Sequence, residues 1–315
     1  MYDNDLLKLH LQNIKNIPGV ENVVLTQKDG YPITSAGVWL SKREVFSVSS
    51  AASAIYSTAK QISSTRLNNI LIEGAAAKIF LSPLPLLDEY FITLTAQKKT
   101  NIGAIYVEAK NSLSAIQNLL TSNFQVLKPP LIHFTPEEIE EILRNFSLKY
   151  QGEHSLALPK YNNFILDEAL TDEINNSLLT IINSIPEINR TFISLSNGYV
   201  ISSYDKFNHS LDKSLCAMAF SLYDTAKRVL WILKKSFVES IIGEYGGEFI
   251  FIQGLKNAIL YAEVAKKGNA RIGLLRLLFS SYVNSFNELL EKLESLRPVM
   301  PSLELDEVFE SLMVR

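Results

Sequence analysis

The residues of this 315-residue chain that could do chemistry are few and scattered. The four histidines, His10, His133, His154 and His209, share no local spacing. A metal site needs several ligands that converge, and this distribution predicts none. Each histidine reads as a surface or capping residue. Cys216 is the only cysteine, so neither an intrachain disulfide nor a cysteine-based zinc site can form. Its apolar neighbours at 215–220 predict a buried thiol rather than a nucleophile. The sequence holds no glycine-rich loop ending in Gly-Lys-Ser/Thr, and Gly246-Gly247 reads as a turn or bulge between strands. There is no His-Glu-x-x-His, Cys-x-x-Cys or Gly-x-Ser-x-Gly. Glu137-Glu138 and Glu140-Glu141 have the pattern of a solvated helix face rather than an acid–base pair. No catalytic residue, metal or cofactor is expected, and enzymes are the least favoured class.

Composition narrows the setting. Hydrophobic residues make up 47%, aromatic residues 10% and charged residues 20%, enough apolar content to build cores and offset the entropy of ordering. Thirty basic against thirty-three acidic side chains give a formal charge of −3. That balance argues against a general nucleic-acid binder, which needs a basic surplus. Residues 1–10 carry Asp3 and Asp5 and lack the pattern of a secretory signal. The greasiest window, 229–233, stops at Lys234 and Lys235, far short of the roughly 18–20 apolar residues of a membrane span. The expected setting is a reducing cytoplasm.

The chain repeats itself. Ile17-Pro18-Gly19-Val20 returns as Ile185-Pro186-Glu187-Ile188, and Asp29-Gly30-Tyr31 as Asn197-Gly198-Tyr199, both at an offset of 168. Lys78-Ile79-Phe80-Leu81 aligns with Glu248-Phe249-Ile250-Phe251, and Ile102-Gly103 with Ile272-Gly273, at 170. The same features in the same order predict two copies of one domain.

Each copy reads element by element. Leu7, Leu11 and Ile14 have helical spacing, ended by Pro18. Strand-like runs then flank Asp29-Gly30, a hairpin signal because the tight turn needs positive φ. Ser41 and Glu44 fit a capping box opening a long helix over 41–66. Val45, Val48, Ala52, Ile55, Ala59 and Ile62 form its apolar seam, which adding 170 reproduces as Leu215, Met218, Leu222, Thr225, Val229 and Ile232. The remaining positions are Ser and Ala rather than Lys and Glu, which predicts a helix covered on both sides. Three strands follow, around 70–73, 78–81 and 90–96, and then a last helix. The expected fold is α+β: two tandem domains, each an antiparallel five-stranded sheet with helices on both faces. The boundaries are 1–123 and 171–296 for the domains, 124–170 for a linker with a short helix begun by Thr135-Pro136-Glu137-Glu138, and 297–315 for a tail. Leu305, Val308, Phe309 and Leu312 share one side of a short tail helix, a face that either packs on the parent domain or docks in a partner's groove.

This ordered set resembles the Roadblock (dynein light chain) family: Ile17-Pro18-Gly19-Val20, the Asp29-Gly30 hairpin, the Ala/Ser-rich helix, three strands, and Asn101-Ile102-Gly103 opening the last helix. The second copy keeps Ile185-Pro186, Asn197-Gly198 and Ile272-Gly273, and departs at Glu187 and Arg271. The resemblance covers residues 3–122 and 171–294. It implies units that pair through their long helices and a strand edge, here as a pseudo-dimer within one chain, with exchange between two chains and further homo-oligomerisation left open. The implied pairing residues are Val45, Val48, Ala52, Ile55 and Ala59 against Met218, Leu222 and Val229.

The resemblance also implies function: a non-enzymatic regulator or scaffold of a small Ras-like GTPase, or a nucleotide-independent adaptor binding scaffold or motor proteins. An activator can supply an arginine to the γ-phosphate. Arg43, Arg66, Arg190, Arg228, Arg271 and Arg276 lie within the repeats, and nothing local singles one out. Lys98-Lys99 and Lys266-Lys267 occupy corresponding loops and could touch anionic lipid at about 1 kcal/mol per charge, although the net negative charge favours solvated loops. A small-molecule sensor is a third class, for which the sequence offers no convergent polar cluster.

Overall fold

The order helix, hairpin, helix, three strands, helix occurs twice. The computed structural model describes residues 3–37, 41–122, 135–138, 140–141, 168–195, 198–207, 209, 213–233, 235, 237–266 and 272–295. The first copy comprises α1 (Asp3–Lys15), β1 (Val20–Gln27), β2 (Pro32–Gly37), α2 (Lys42–Ile62), β3 (Leu67–Gly74), β4 (Ala77–Pro83), β5 (Tyr90–Gln97) and α3 (Ile102–Ser122). The second comprises α4 (Glu168–Ser184), β6 (Ile188–Leu195), β7 (Val200–Asp205), α5 (Lys213–Ile232), β8 (Val238–Tyr245), β9 (Glu248–Leu255), β10 (Ala258–Ala265) and α6 (Ile272–Ser295). The tail positions Leu305, Val308, Phe309 and Leu312, and most of 124–167, lie outside the described residues.

Local chemistry sets the turns and helix starts. Gly30 takes φ +94° in the first hairpin, and a Cβ there would sit 3.1 Å from the Ser50 backbone. Ser41 caps α2 by accepting from the Glu44 backbone N–H at 3.3 Å, while the Glu44 carboxylate accepts from the Ser41 N–H at 2.9 Å. Asn101 Oδ1 accepts from the Ala104 N–H at 3.3 Å where α3 begins.

The ten described strands form one antiparallel sheet in the order β2-β1-β5-β4-β3-β8-β9-β10-β6-β7. The two five-stranded halves join where β3 pairs with β8. In that register Leu71 stands opposite Ile242, Ile70 opposite Gly243 and Ile72 opposite Ile241. Since Ile70 and Ile72 are the counterparts of Ile241 and Gly243, the contact is isologous, and a pseudo-two-fold axis passes between Leu71 and Ile242. The register also corrects the sequence alignment of the central strands. Ile79 and Ile250 face α2 and α5, whereas Phe80 and Phe251 face the opposite side, so β3 and β4 match β8 and β9 at an offset of 171, not 170. A slip of one residue would turn every side chain to the wrong face.

The sheet is the middle of three layers. The four helices α1, α3, α4 and α6 cover one face over two cores, one built on Leu7, Leu11 and Ile105 and the other on Ile174, Phe279 and Phe286. The pair α2 and α5 covers the other face over a single core shared by both halves. The expectation that α2 is covered on both sides is not met. Ser49 is buried and hydrogen-bonded to Thr26 at 3.1 Å, and Ser53 donates to the Lys28 carbonyl, so these small residues fit α2 closely against its own hairpin. Ala54 and Ser57, on the far side, are exposed.

Candidate functional site

The junction of the two copies is the candidate site, because Ala52, Ile55, Ala59, Leu222 and Val229, five of the residues singled out for pairing, meet there, while Val45 and Val48 lie outside that shared core. Val45, Val48, Ala52, Ile55 and Ala59 of α2 are all buried, Ile55 and Ala59 completely. Ala52, Ile55 and Ala59 share one apolar cluster with Leu222 and Val229 of α5. Met218 is only half-buried at its margin, and Thr225 is half-buried too. The positions of α5 at zero exposure are Cys216, Ala219, Ala226 and Leu230, each one residue beyond a member of the seam that a 170 offset gives. Alanines at 52, 59, 219 and 226 remove side-chain bulk in the shared core, and Ile55, Leu222 and Leu230 fill the space beside them.

Buried tyrosines stitch the helices to the sheet. Tyr245 of β8 crosses the junction and donates to the Ala59 carbonyl of α2 at 2.7 Å. Tyr223 of α5 donates to the Val238 carbonyl at 3.1 Å, and burial raises its phenol pKa to about 12. Burial also raises Tyr245, chiefly by desolvation. These hydroxyls stay protonated and act as donors throughout the physiological range.

Polar links cross between the copies as well. Lys235 pairs with Glu21 at 2.8 Å, Lys98 with Glu239 at 2.7 Å, and Arg276 grips Glu73 through Nε at 2.7 Å and Nη2 at 2.5 Å. Ser63, just past α2, donates to Glu248 of β9 at 2.5 Å. Lys98 and Lys266, expected in solvated loops, are both engaged: Lys266 is buried over most of its length and pairs with Glu244 at 2.8 Å.

The described arginines are all held by carboxylates: Arg43 by Glu141, Arg66 by Asp88, Arg190 by Asp205, Arg228 by Asp224 and Arg276 by Glu73. Arg271 lies outside the described residues. His209 stands 3.6 Å from Asp205, and no group of three or more metal-ligating side chains occurs among the described residues. No described helix is long and apolar enough to cross a membrane. Gly246-Gly247 form the β8–β9 turn, where the Gly246 N–H donates to the Arg66 carbonyl at 2.9 Å.

Sequence reasoning missed a polar row on the opposite face of the sheet, made of Lys78, Glu73, Ser240 and Gln253. The available signal was Lys78 itself, a lysine inside the apolar run 77–81.

No protein-family model matches the chain, and no curated protein matches it. Solved structures do. Myxococcus xanthus MglB shares 14% identity, covering 44% of this chain and 98% of that one, with a TM-score of 0.37. A Roadblock/LC7 domain from Streptomyces avermitilis shares 16%, covering 37% and 97%, with a TM-score of 0.33. The gliding protein MglB from Thermus thermophilus shares 10%, covering 42% and 98%, with a TM-score of 0.37. Each spans less than half of this chain and is itself covered almost end to end. The solved structures that this chain resembles are Roadblock/LC7-domain proteins, and the chain carries its own helix, hairpin, helix, three-strand, helix unit twice in tandem.

Proposed function

We propose that the chain is a non-enzymatic regulator or scaffold of a small Ras-like GTPase, built from units at 1–123 and 171–296 that form an internal pseudo-dimer. The observation that carries this reading is the open side of the helix pair. On α2 the outward positions are the exposed Ala54 and Ser57, with Ser47 and Ser50 half-buried beside them, and on α5 they include the exposed Ala217 and Ser221. Two adjacent helices over one continuous sheet thus offer a broad, stiff surface with little side-chain entropy to lose on docking. Further along the same face of α5, Asp224 and Arg228 pair with each other at 2.7 Å.

The test is capture from the native host lysate with GDP and with a non-hydrolysable GTP analogue, read by mass spectrometry. Recovery of a Ras-like GTPase in one nucleotide state supports a regulator. Ala54→Arg and Ala217→Arg, both on exposed positions, should then weaken capture about tenfold with unchanged melting, since an arginine in a packed contact obstructs it. Capture that ignores nucleotide would favour the adaptor class, and recovery of no GTPase in either state would sink the proposal.

A further inference from the structure

On the sheet face away from α2 and α5, four side chains stand directly opposite one another across four adjacent strands: Lys78, Glu73, Ser240 and Gln253. The pseudo-two-fold axis relates them to Phe249, Glu244, Asn69 and Ser82. The second row is filled and satisfied. Tyr106 of α3 lies over it, donating to Asn69 Oδ1 at 2.9 Å, and Asn69 donates to Glu244 at 2.7 Å. Lys266 pairs with the same Glu244 and lies 4.9 Å from the centre of the Phe249 ring.

The first row is not filled. Arg276 occupies the place of Tyr106 and turns down onto Glu73, while Ser240 is smaller than Asn69. Lys98, the counterpart of Lys266, reaches Glu239 instead of the glutamate of the row. What remains is a cavity of about 270 Å³, walled by the ring of Phe251, which stacks on Phe279 at 5.2 Å, and rimmed by the exposed Leu277.

Lys78 is the cation in this cavity that forms no ion pair within 4 Å among the described residues; Glu73, opposite it in the sheet, is held by Arg276. Lys78 is 7% exposed, and its Nζ donates once, to the Thr100 carbonyl at 3.0 Å. An ammonium has three N–H donors, and the other two have no partner among the described residues. Burial pulls its pKa down, with Glu73 opposing and Arg276 adding to the fall. Three cations, Lys78, Lys98 and Arg276, face two carboxylates, Glu73 and Glu239, each already claimed. The surplus is one positive charge.

We infer that this cavity binds a small organic monocarboxylate, with its carboxylate on Lys78 and its apolar body against Phe251 and Leu277. A single negative charge completes the local balance. A phosphate dianion would bring its second charge against Glu73 and Glu239, which repel it in a partly buried site. Ser240 and Gln253 are placed to hydrogen-bond a polar substituent. Because the lining comes from both copies, a bound ligand would also tie the halves together. The site lies on the face opposite the helix pair, so it stands or falls independently of GTPase binding.

The experiment is titration of the full chain with butyrate, hexanoate, octanoate and benzoate, followed by calorimetry and melting temperature, with benzamide and inorganic phosphate as controls. At least one carboxylate should bind saturably and raise Tm, and benzamide should not. Lys78→Met should weaken that binding by about tenfold or more through loss of the charge-assisted bond. Ser240→Asn, which imports the side chain of the filled row, should do the same by occupying space while leaving every charge in place. Failure of all four carboxylates to bind, or binding indifferent to both variants, would overturn the inference. So would phosphate binding more tightly than any carboxylate in a Lys78-dependent way.

Discussion

Where β1 meets β2 and β5, the first copy brings together Asn22, Gly37 and Thr95, and the matching corner of the second copy holds Arg190, Asp205 and Glu263. The first corner is neutral and tight. Asn22 donates weakly to Thr95 at 3.4 Å, and its Oδ1 is buried without a hydrogen-bond partner among the described residues. A Cβ on Gly37 would lie 2.2 Å from that oxygen, so glycine leaves the asparagine its room. The second corner is ionised. Arg190 donates to Asp205 at 2.8 Å and comes within 3.9 Å of Glu263. Burial alone would raise Asp205, but hydrogen bonds from Arg190 and from the Phe207 and His209 N–H groups outweigh it and hold its pKa low. The same backbone position is thus closed by fit in one copy and by charge in the other. The copies have kept their shape and diverged in electrostatics.

If the halves are mechanically equivalent despite that divergence, breaking the helix pair from either side should cost the same. Ile55→Asp and Leu222→Asp each place a carboxylate at a site no more than 2% exposed. Each should lose roughly 4 kcal/mol or more of unfolding free energy, with an enlarged hydrodynamic radius. Denaturant titration and size-exclusion chromatography read both. Wild-type melting and size in both variants would refute the pairing, and a large loss in one alone would show that the halves are not equivalent.

The next largest effect should separate the corners. Arg190→Ala leaves the Asp205 side chain, 8% exposed, without its cation, and should cost about 3 kcal/mol. Asn22→Ala removes an oxygen that has no partner and one long bond, and should cost about 1 kcal/mol or less. Equal losses at pH 7 would erase the distinction between fit and charge.

Much of this was legible in the sequence, for reasons tied to particular residues. Turn and cap chemistry is local, so Gly30, the Ser41–Glu44 box and Asn101 announced their elements. The buried seam of α2 followed from helical spacing. Register was less legible, because the apolar run 77–81 resembles its copy almost equally well at offsets of 170 and 171. Only the cross-strand partners decide which side chains face α2. The row of Lys78, Glu73, Ser240 and Gln253 was hidden for a stronger reason. It is assembled from four strands of both copies, and no spacing along the chain encodes that contact. The exposed stripe of α2 was misjudged because small residues at a helix surface suit a close neighbour and an open docking face alike.

The pH dependence of stability is the most diagnostic for the corners, because only one of them can titrate. Burial, and then the neighbouring carboxylate of Glu248, push the Glu263 pKa up to about 7. The folded state therefore keeps that proton to higher pH than the unfolded chain does. Between the ordinary carboxylate pKa and about 7 the folded state binds more protons, so stability should fall as pH rises through that window and level off above it. Glu263→Gln cannot titrate and should flatten the slope, gaining on the order of 1 kcal/mol relative to wild type at pH 8. Thr95, the counterpart in the first copy, already supplies the neutral case, so Thr95→Val should leave the slope as it is. Urea unfolding at half-unit steps from pH 5 to pH 8 measures all three proteins. A slope that survives Glu263→Gln would mean that a group other than Glu263 holds the proton in this window.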